Sequence, residues 1–326
     1  LFALFLTYWL LTAAAYGLCN ALALRNLEHP LEQFGGVRLW GTVGWMTAGW
    51  LVWAVLAETA GPTGAGGGTH GAFGVGAALS VLFAGFCLGL PHTPPLAAGG
   101  QGRDPAELAE VLALVRTPPV ALYLATAFGA SLTTPFVYQV MPAYLVAAGL
   151  PRRWVAPAMT LGQVPEIATL AALPWLLGRC GYRGTLALGL LAWATRYALL
   201  APGPPLWLAL AGIPLHGVAI GCFHVAGAMY LDGQAPAHRR AVTQGLNLVV
   251  TTGVGLLAGS LLAGRVVDQA PGDDARIFWV PCLINAVLLG AWLAGFRPHA
   301  TAAAAAAEDD TRPAPVPAEV LGRGEC

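Results

Sequence analysis

Residues 206–231 read LWLALAGIPLHGVAIGCFHVAGAMYL and contain no Asp, Glu, Lys or Arg. An α-helix needs about 20 consecutive apolar residues to cross the hydrocarbon core of a bilayer, so this stretch is long enough to span it with some tilt. Its apolar residues run continuously and do not alternate with polar ones, which argues against a lipid-facing β-strand. The stretch therefore predicts a transmembrane helix.

The whole chain has the composition of a membrane protein. Of its 326 residues, 57% are hydrophobic and 10% are charged. In a soluble domain about a quarter of the residues are charged, so a soluble enzyme is excluded. The 16 basic residues, all of them Arg, balance 16 acidic residues and leave no basic excess for nucleic acid. We therefore expect an all-α membrane protein that contacts the lipid bilayer and binds no nucleic acid.

Nine apolar stretches of this kind follow one another along the chain. Short turns rich in Arg, Gly and Pro separate most of them, which suits antiparallel helices in a bundle. Longer connections occur at 58–70 and 91–117, and the tail from about residue 298 is of low complexity. The nine stretches are 1–24, 38–57, 71–90, 118–148, 154–177, 183–201, 205–231, 239–267 and 276–296.

The arginines outside the spans orient the chain, because cytoplasmic connections carry more Lys and Arg than external ones. Eleven of them fall on one side, which includes the tail, and four fall on the other. We therefore predict a cytoplasmic C-terminus. The first set is Arg25, Arg38, Arg103, Arg116, Arg179, Arg183, Arg239, Arg240, Arg297, Arg312 and Arg323, and the second is Arg152, Arg153, Arg265 and Arg276.

Glu166 is a carboxyl group in the middle of a predicted span, where a charged side chain is costly unless it faces a cavity or a partner. It follows Gln163 by three residues, so both side chains project from one face of a helix. Pro165 between them loosens that helix. Such a pair can accept hydrogen bonds from a polar solute, and the carboxyl group can carry a proton. Alternatively, Glu166 pairs with an arginine of a neighbouring span.

Two further pairs of polar residues are candidates for a cavity. His216 and His224 lie eight residues apart in one span, and without other ligands they make a poor metal site. We therefore predict no metal and no other cofactor. The two His side chains either hydrogen-bond and carry protons at a cavity or pack among small residues. Tyr138 and Gln139 lie between two prolines in another span, and broken helices often form the binding sites of transporters.

Three other polar residues inside the spans have structural interpretations. Arg196 can snorkel to the membrane interface or pair with a buried carboxylate, and a functional role is an equal alternative. Gln244 and Asn247 are expected to join neighbouring helices. The motifs GxxxxGK[ST], GxSxG and HExxH do not occur, so the sequence supports neither ATP-driven transport within the chain nor a common hydrolase. We expect no enzyme.

Four strings of the sequence carry a family resemblance through their order and spacing. They are FGGVRLWGTVGW (34–45), LGQVPE (161–166), LAWATRYAL (191–199) and LHGVAIGCFHVAGAMYLDGQAPAHRRAVTQGL (215–246). Together they resemble the nucleoside:proton symporter family of the major facilitator superfamily. That family opens its fifth span on a segment like the first string, and it has Ser-Gln-x-Ser-Glu where the second string lies. The resemblance covers nearly all of residues 1–296.

The resemblance implies the major facilitator superfamily fold, with two pseudo-symmetric helix bundles around a central cavity. In this interpretation the chain carries about nine of twelve spans, and the first three are missing. Residues 1–90 are then the remainder of the N-terminal bundle, with spans four to six. Residues 91–117 form a cytoplasmic linker, 118–297 form a C-terminal six-helix bundle, and 298–326 form a disordered cytoplasmic tail.

The resemblance also implies a solute site. Arg38, Thr42 and Trp45 fall where the family has pocket residues on its fifth span. Gln163 and Glu166 fall on the amide and the acid that contact the sugar hydroxyls in the family.

The tenth span departs from the family, which has two aromatic residues and an Asp where this sequence has His216, Ile220 and Gly221. We hypothesise that His224, nearly one turn further on, substitutes as a titratable group. Proton coupling is thus assigned to Glu166 and His224. The predicted substrate-binding residues are Arg38, Thr42, Trp45, Tyr138, Gln139, Gln163, Glu166, His216 and His224.

The sequence as a whole predicts a monomeric secondary active transporter in the cytoplasmic membrane. It would move a small polar solute, nucleoside-like, together with protons by alternating access. A non-transporting receptor or sensor on a transporter fold is one alternative, and a carrier of another polar solute, a sugar or an organic acid, is a second.

Overall fold

The computed structural model of the chain describes residues 30–59, 70–91, 113–235, 239–270 and 276–297, with scattered helical positions between residues 3 and 26. The side chains of residues 30–36, 38, 39, 57–59 and 241 lie outside this description. All regular secondary structure in the described residues is helical, as the predicted fold class requires.

Apolar runs between Gly- and Pro-containing turns form these helices, which we number in chain order. Single turns of 3₁₀-helix, Arg152–Trp154 and Arg276–Phe278, precede the helices that begin at Val155 and Trp279. The α-helices are α1 (Pro30–Thr59), α2 (His70–Leu88), α3 (Pro118–Pro135), α4 (Met141–Ala147), α5 (Val155–Thr160), α6 (Gln163–Leu200), α7 (Leu206–Ala211), α8 (Leu215–Ala219), α9 (Ala226–Gln234), α10 (Arg240–Leu248), α11 (Leu256–Gln269) and α12 (Trp279–Gly295).

Three of the spans in the described part of the chain contain a π-helical segment between two α-helices. Phe136–Val140 joins α3 to α4, Ile220–Val225 joins α8 to α9, and Val249–Gly255 joins α10 to α11. A π-helical turn holds an extra residue and is frequently found at functional sites. These spans are therefore continuous helices that widen locally.

Five helical segments of the described residues are long and apolar enough to cross a membrane, and they fall on five of the nine predicted spans. Helix α1 and the two parts of α6 are helical where three others were predicted. The remaining stretch, 1–24, lies largely outside the described residues, so the number of nine stays a prediction. The five segments are His70–Leu88, Pro118–Ala147, Leu206–Gln234, Val242–Gln269 and Arg276–Gly295.

Helix α6 contains two predicted spans that meet at Gly181. This residue has φ 60° and ψ −179°, a backbone conformation that is essentially restricted to glycine. The sequence predicted a turn at 178–182, and the turn takes this compact form. A single glycine thus separates the part of α6 that carries Glu166 from the part that carries Arg196.

The chain divides into two compact units. The first unit comprises Leu1–Gly102, Met141–Ala168 and Pro204–Gly217, and the second comprises Arg103–Val140, Thr169–Gly203 and Val218–Cys326. In the first unit, Trp50 and Trp53 of α1 pack against Trp154, and the ring centroids of Trp53 and Trp154 are 5.3 Å apart. This cluster fixes α1 on the segment that leads into α5.

Aromatic side chains form the core of the second unit. Tyr123, Phe223, Tyr230, Trp292 and Phe296 are buried there, and the rings of Trp292 and Phe296 stack with centroids 4.0 Å apart. They come from α3, from the π-helical segment 220–225, from α9 and from the end of α12. The core therefore ties together helices that are far apart in sequence.

Hydrogen bonds between helices supplement this core. The Tyr197 hydroxyl donates to the Thr133 carbonyl oxygen at 2.6 Å, and the Asn285 amide nitrogen donates to the Thr133 hydroxyl at 3.1 Å. The Gln244 amide nitrogen donates to the Ala228 carbonyl oxygen at 2.8 Å, which confirms that Gln244 joins neighbouring helices.

Candidate functional site

Two spans are interrupted within the parts of the chain that belong to the first unit. Helix α5 ends at Thr160 and α6 begins at Gln163, with a turn between them. Helix α7 ends at Ala211 and α8 begins at Leu215, and the backbone N–H of His216 donates to the carbonyl oxygen of the third residue before it at 3.0 Å. Interrupted helices are tolerated inside a membrane where protein or a water-filled cavity surrounds them.

Two glycines bring the interruptions into direct contact. A Cβ atom added to Gly217 would overlap the backbone nitrogen of Glu166 and the carbonyl oxygen of Gly162. A Cβ atom added to Gly162 would lie 3.3 Å from both Cβ and Cδ2 of His216. Small residues of this kind allow two helix backbones to approach closely. The contact therefore sets Glu166 and His216 at one helix crossing, which we call the interrupted crossing.

Three of the predicted site residues lie at the interrupted crossing: Gln163, Glu166 and His216. Gln163 and His216 are buried, and Glu166 is partly buried. With the Gln163 amide oriented to suit its surroundings, its nitrogen donates to the carbonyl oxygens of Thr160 at 3.0 Å and Met159 at 3.1 Å. Gln163 thus closes the turn between α5 and α6, a structural task that its position in the sequence did not indicate.

Helix α1 reaches the same turn. A Cβ atom added to Gly49 would lie 3.0 Å from the Thr160 methyl group, so α1 packs on the end of α5. Thr42 and Trp45 lie two turns and one turn before Gly49 on α1, and the Trp45 side chain is 55% exposed. The side chain of Arg38, the third predicted residue of this helix, lies outside the described residues. The role of all three in binding stays a prediction.

Tyr138 and Gln139 lie in the second unit, within the π-helical segment 136–140. The sequence predicted an irregular helix between two prolines here, and the irregularity is a widened turn. The Gln139 amide nitrogen donates to the Ser260 hydroxyl at 2.9 Å, which links the segment to α11. The Tyr138 side chain is 45% exposed.

His224 also lies in a π-helical segment of the second unit, Ile220–Val225. Its ring stands nearly perpendicular to the rings of Trp193 and Phe223, with centroids 6.4 and 5.4 Å away. Its Nε2 atom is buried and has no hydrogen-bond partner among the described residues. His224, which we predicted to be a titratable site residue, is thus packed between aromatic side chains. Its role in proton coupling stays a prediction.

Thr169 of α6 occupies the space beside Gly221. A Cβ atom added to Gly221 would lie 2.7 Å from the Thr169 methyl carbon. The resemblance had placed an acidic residue of the family at this position. The packing explains why a glycine stands there in this chain.

The sequence allowed Arg196 either a structural or a functional role, and the structure shows that this residue is deeply buried. Only 1% of this residue is exposed, and its guanidinium carbon is 5.9 Å from the centroid of the Trp193 ring. A charged residue inside a span is the sequence signal that identifies it.

Helices that break or widen beside their polar residues, within a chain of several spans, are typical of secondary transporters. The family model for the Nucleoside H+ symporter matches residues 1–301. The chain therefore belongs to the nucleoside H+ symporter family, as the four strings indicated.

The chain is similar to two transport proteins of Escherichia coli K12. It is 30% identical over 275 residues to the putative nucleoside transporter YegT, which covers 82% of the chain and 63% of YegT. It is 25% identical over 302 residues to the nucleoside permease NupG, which covers 86% of the chain and 70% of NupG. The chain thus spans under two thirds of the length of YegT.

A crystal structure of a NupG variant has the same fold. The TM-score is 0.73 at 23% sequence identity, with 87% of this chain and 73% of that chain covered. The similarity confirms the major facilitator superfamily fold that the resemblance implied.

Proposed function

We propose that the protein is a secondary active transporter that carries a nucleoside together with protons across the cytoplasmic membrane. Its family membership supports this proposal, and the named relatives are a nucleoside permease and a putative nucleoside transporter. The structural observation that carries it is the interrupted crossing, where Glu166 packs against Gly217 and His216 packs against Gly162 inside the spans. Ionisable groups at helix breaks within a membrane mark the pathways of substrates and ions.

The proposed solute site consists of the residues that the sequence predicted. Thr42 and Trp45 supply a hydroxyl group and an exposed ring for stacking on a base, and Arg38 supplies a guanidinium. Glu166 accepts hydrogen bonds from the sugar hydroxyls. The other proposed binding residues are Tyr138, Gln139, Gln163, His216 and His224.

Proton coupling follows from the free energy of burying a charge. A carboxylate that leaves water without a partner is far more costly to bury than a neutral carboxylic acid. Protonation of Glu166 therefore shifts the balance between a state in which this group faces water and one in which it is enclosed. A proton or a solute shifts that balance only by its different affinity for the two states. His224 is the second group in this scheme.

The proposal includes the domain arrangement that the sequence predicted, with a linker at 91–117 between the bundle remainder 1–90 and the bundle 118–297. The tail 298–326 and the C-terminus lie in the cytoplasm, and the protein works as a monomer.

Uptake of labelled uridine and adenosine tests the proposal, in cells that express the full-length gene, with and without a protonophore. We expect uptake in the wild type that the protonophore abolishes. Glu166→Gln should lose this proton-driven accumulation by about tenfold or more, because an amide cannot release a proton. The same variant should still exchange internal for external nucleoside.

A matched control is Asp268→Asn, which removes a carboxylate from the exposed end of α11 and should leave uptake unchanged. Full protonophore-sensitive uptake by Glu166→Gln would contradict the role of Glu166. If the wild type, verified in the membrane, takes up neither nucleoside, the proposed substrate is wrong. Binding of nucleoside without accumulation would indicate a receptor.

A further inference from the structure

The guanidinium of Arg196 is buried in the second unit, and no carboxylate of the described residues lies beside it. Its Nε and Nη1 atoms have no hydrogen-bond partner among those residues. Of the described titratable groups, Tyr197 and Tyr138 lie within electrostatic range of it. An arginine inside a membrane span normally pairs with an acidic group or with carbonyl oxygens. Arg196 therefore has donors that the described residues of the protein do not use.

Tyr197 does not replace such a partner. The Tyr197 hydroxyl donates its proton to the Thr133 carbonyl oxygen at 2.6 Å, so it is already committed to the packing of α3 on α6. Trp193 contributes only the face of its ring, 5.9 Å from the guanidinium carbon. Leaving buried donors unsatisfied is unfavourable, and a ligand with acceptor atoms would remove that penalty.

Tyr138 lies within electrostatic range of this buried group and reaches the surface of the unit. It lies in the π-helical segment 136–140 and is 45% exposed. Its ring gives a planar ligand a surface on which to stack.

We propose that Arg196 is a specificity residue that binds the acceptor edge of a 6-oxopurine nucleoside. A planar guanidinium has five N–H donors and binds two adjacent acceptors at once. In a 6-oxopurine, O6 and N7 are adjacent acceptors, whereas adenine offers N7 beside an amino group that is a donor. The inference rests on the proposed function and adds the class of nucleoside that the protein prefers.

The test is the binding of inosine, adenosine and 7-deazainosine to the purified full-length protein, measured by isothermal titration calorimetry. We expect the wild type to bind inosine about tenfold or more tightly than adenosine, the range that a bidentate arginine supplies. The analogue 7-deazainosine lacks the N7 acceptor and should lose most of this advantage. In Arg196→Gln the ratio of inosine to adenosine affinity should fall to about one, mainly through weaker inosine binding.

Two variants separate recognition from folding. Arg196→Lys keeps the charge but lacks the planar set of donors, so it should retain only part of the preference. Arg179→Gln is the matched control, because Arg179 lies on the same helix with its guanidinium carbon 6.0 Å from the Trp175 ring but is exposed. It should preserve the wild-type ratio.

An unchanged ratio in Arg196→Gln would overturn the inference. Wild-type protein that binds 7-deazainosine as tightly as inosine would also overturn it, and this comparison does not depend on the stability of any variant. A preference for inosine 5′-monophosphate over inosine that depends on Arg196 would show that the guanidinium binds an anion and not the base. Wild-type protein that binds nucleosides without preferring inosine contradicts this inference alone, whereas the absence of any nucleoside binding contradicts the proposed function as well.

Discussion

Gly217 of α8 packs so closely on Glu166 of α6 that a methyl group between them would overlap the Glu166 backbone nitrogen. The contact is between two main chains, so no change of side-chain rotamer can relieve a larger residue there. The position of the Glu166 backbone is consequently set by the absence of a side chain on the neighbouring helix.

The first prediction is that Gly217→Ala separates the two helices at the interrupted crossing. Overpacking of this kind costs about 1–3 kcal/mol of unfolding free energy, and the shift also displaces Glu166. We expect a lower melting temperature for the purified variant and a loss of nucleoside uptake. Thermal unfolding in detergent, followed by tryptophan fluorescence, measures the first effect.

Gly178→Ala is its control, since a Cβ atom added to Gly178 of α6 meets no other atom within 4 Å. Its effect on stability should stay within about 0.5 kcal/mol. If Gly217→Ala melts and transports like the wild type, the close contact is wrong.

The second prediction concerns Gly221 and Thr169. Gly221→Ala should destabilise the protein, because the new methyl group would lie 2.7 Å from the Thr169 methyl carbon. Thr169→Ser removes that carbon, so Gly221→Ala should be less harmful in its presence. Melting temperatures of the two single variants and the double variant, combined in a double-mutant cycle, should give a coupling energy of about 0.5 kcal/mol or more. Additive effects would show that the two residues do not share this space.

The third prediction concerns the turn inside α6. Gly181 has φ 60° and ψ −179°, which an L-residue with a Cβ atom adopts only under strain. Gly181→Ala should therefore lower stability by about 1–3 kcal/mol, although no atom lies within 4 Å of the added methyl group. Gly178→Ala, three residues away in ordinary helix, is again the comparison. Equal melting temperatures for the two variants would contradict the strained conformation.

The fourth prediction compares two buried tyrosines. Tyr197→Phe removes a hydrogen bond of 2.6 Å to the Thr133 carbonyl oxygen, whereas Tyr123→Phe removes one of 3.5 Å to the Asn247 side chain. A net contribution of about 1 kcal/mol is typical of a well-formed hydrogen bond, and contacts near 3.5 Å contribute less. Chemical denaturation in detergent should therefore find Tyr197→Phe the less stable variant. The reverse order would contradict these hydrogen bonds.

The fold class could be predicted from the sequence because continuous apolar stretches are a strong signal for membrane helices. The π-helical segment at 136–140 could be predicted only as an irregularity. Two prolines mark its place, but its form depends on packing against distant helices, as the hydrogen bond from Gln139 to Ser260 shows.

The site was predictable in its residue types and not in its contacts. A carboxyl group in a span stands out in any sequence, so Glu166 could be found, but nothing in the sequence says that Gly217 is its neighbour. The same limit applied to Arg196. The sequence allowed it a buried carboxylate as a partner, and only the structure shows that none of its described neighbours is one.

The three π-helical segments link the length of a span to the face that it presents. Each holds one residue more than the α-helix that it interrupts, and one residue of an α-helix turns the chain by about 100°. An extra residue kept in α-helical form would rotate the following helix by that angle, whereas a widened turn absorbs the residue. At these three places a span therefore contains one more residue while the helices on either side keep the faces that they present to their neighbours.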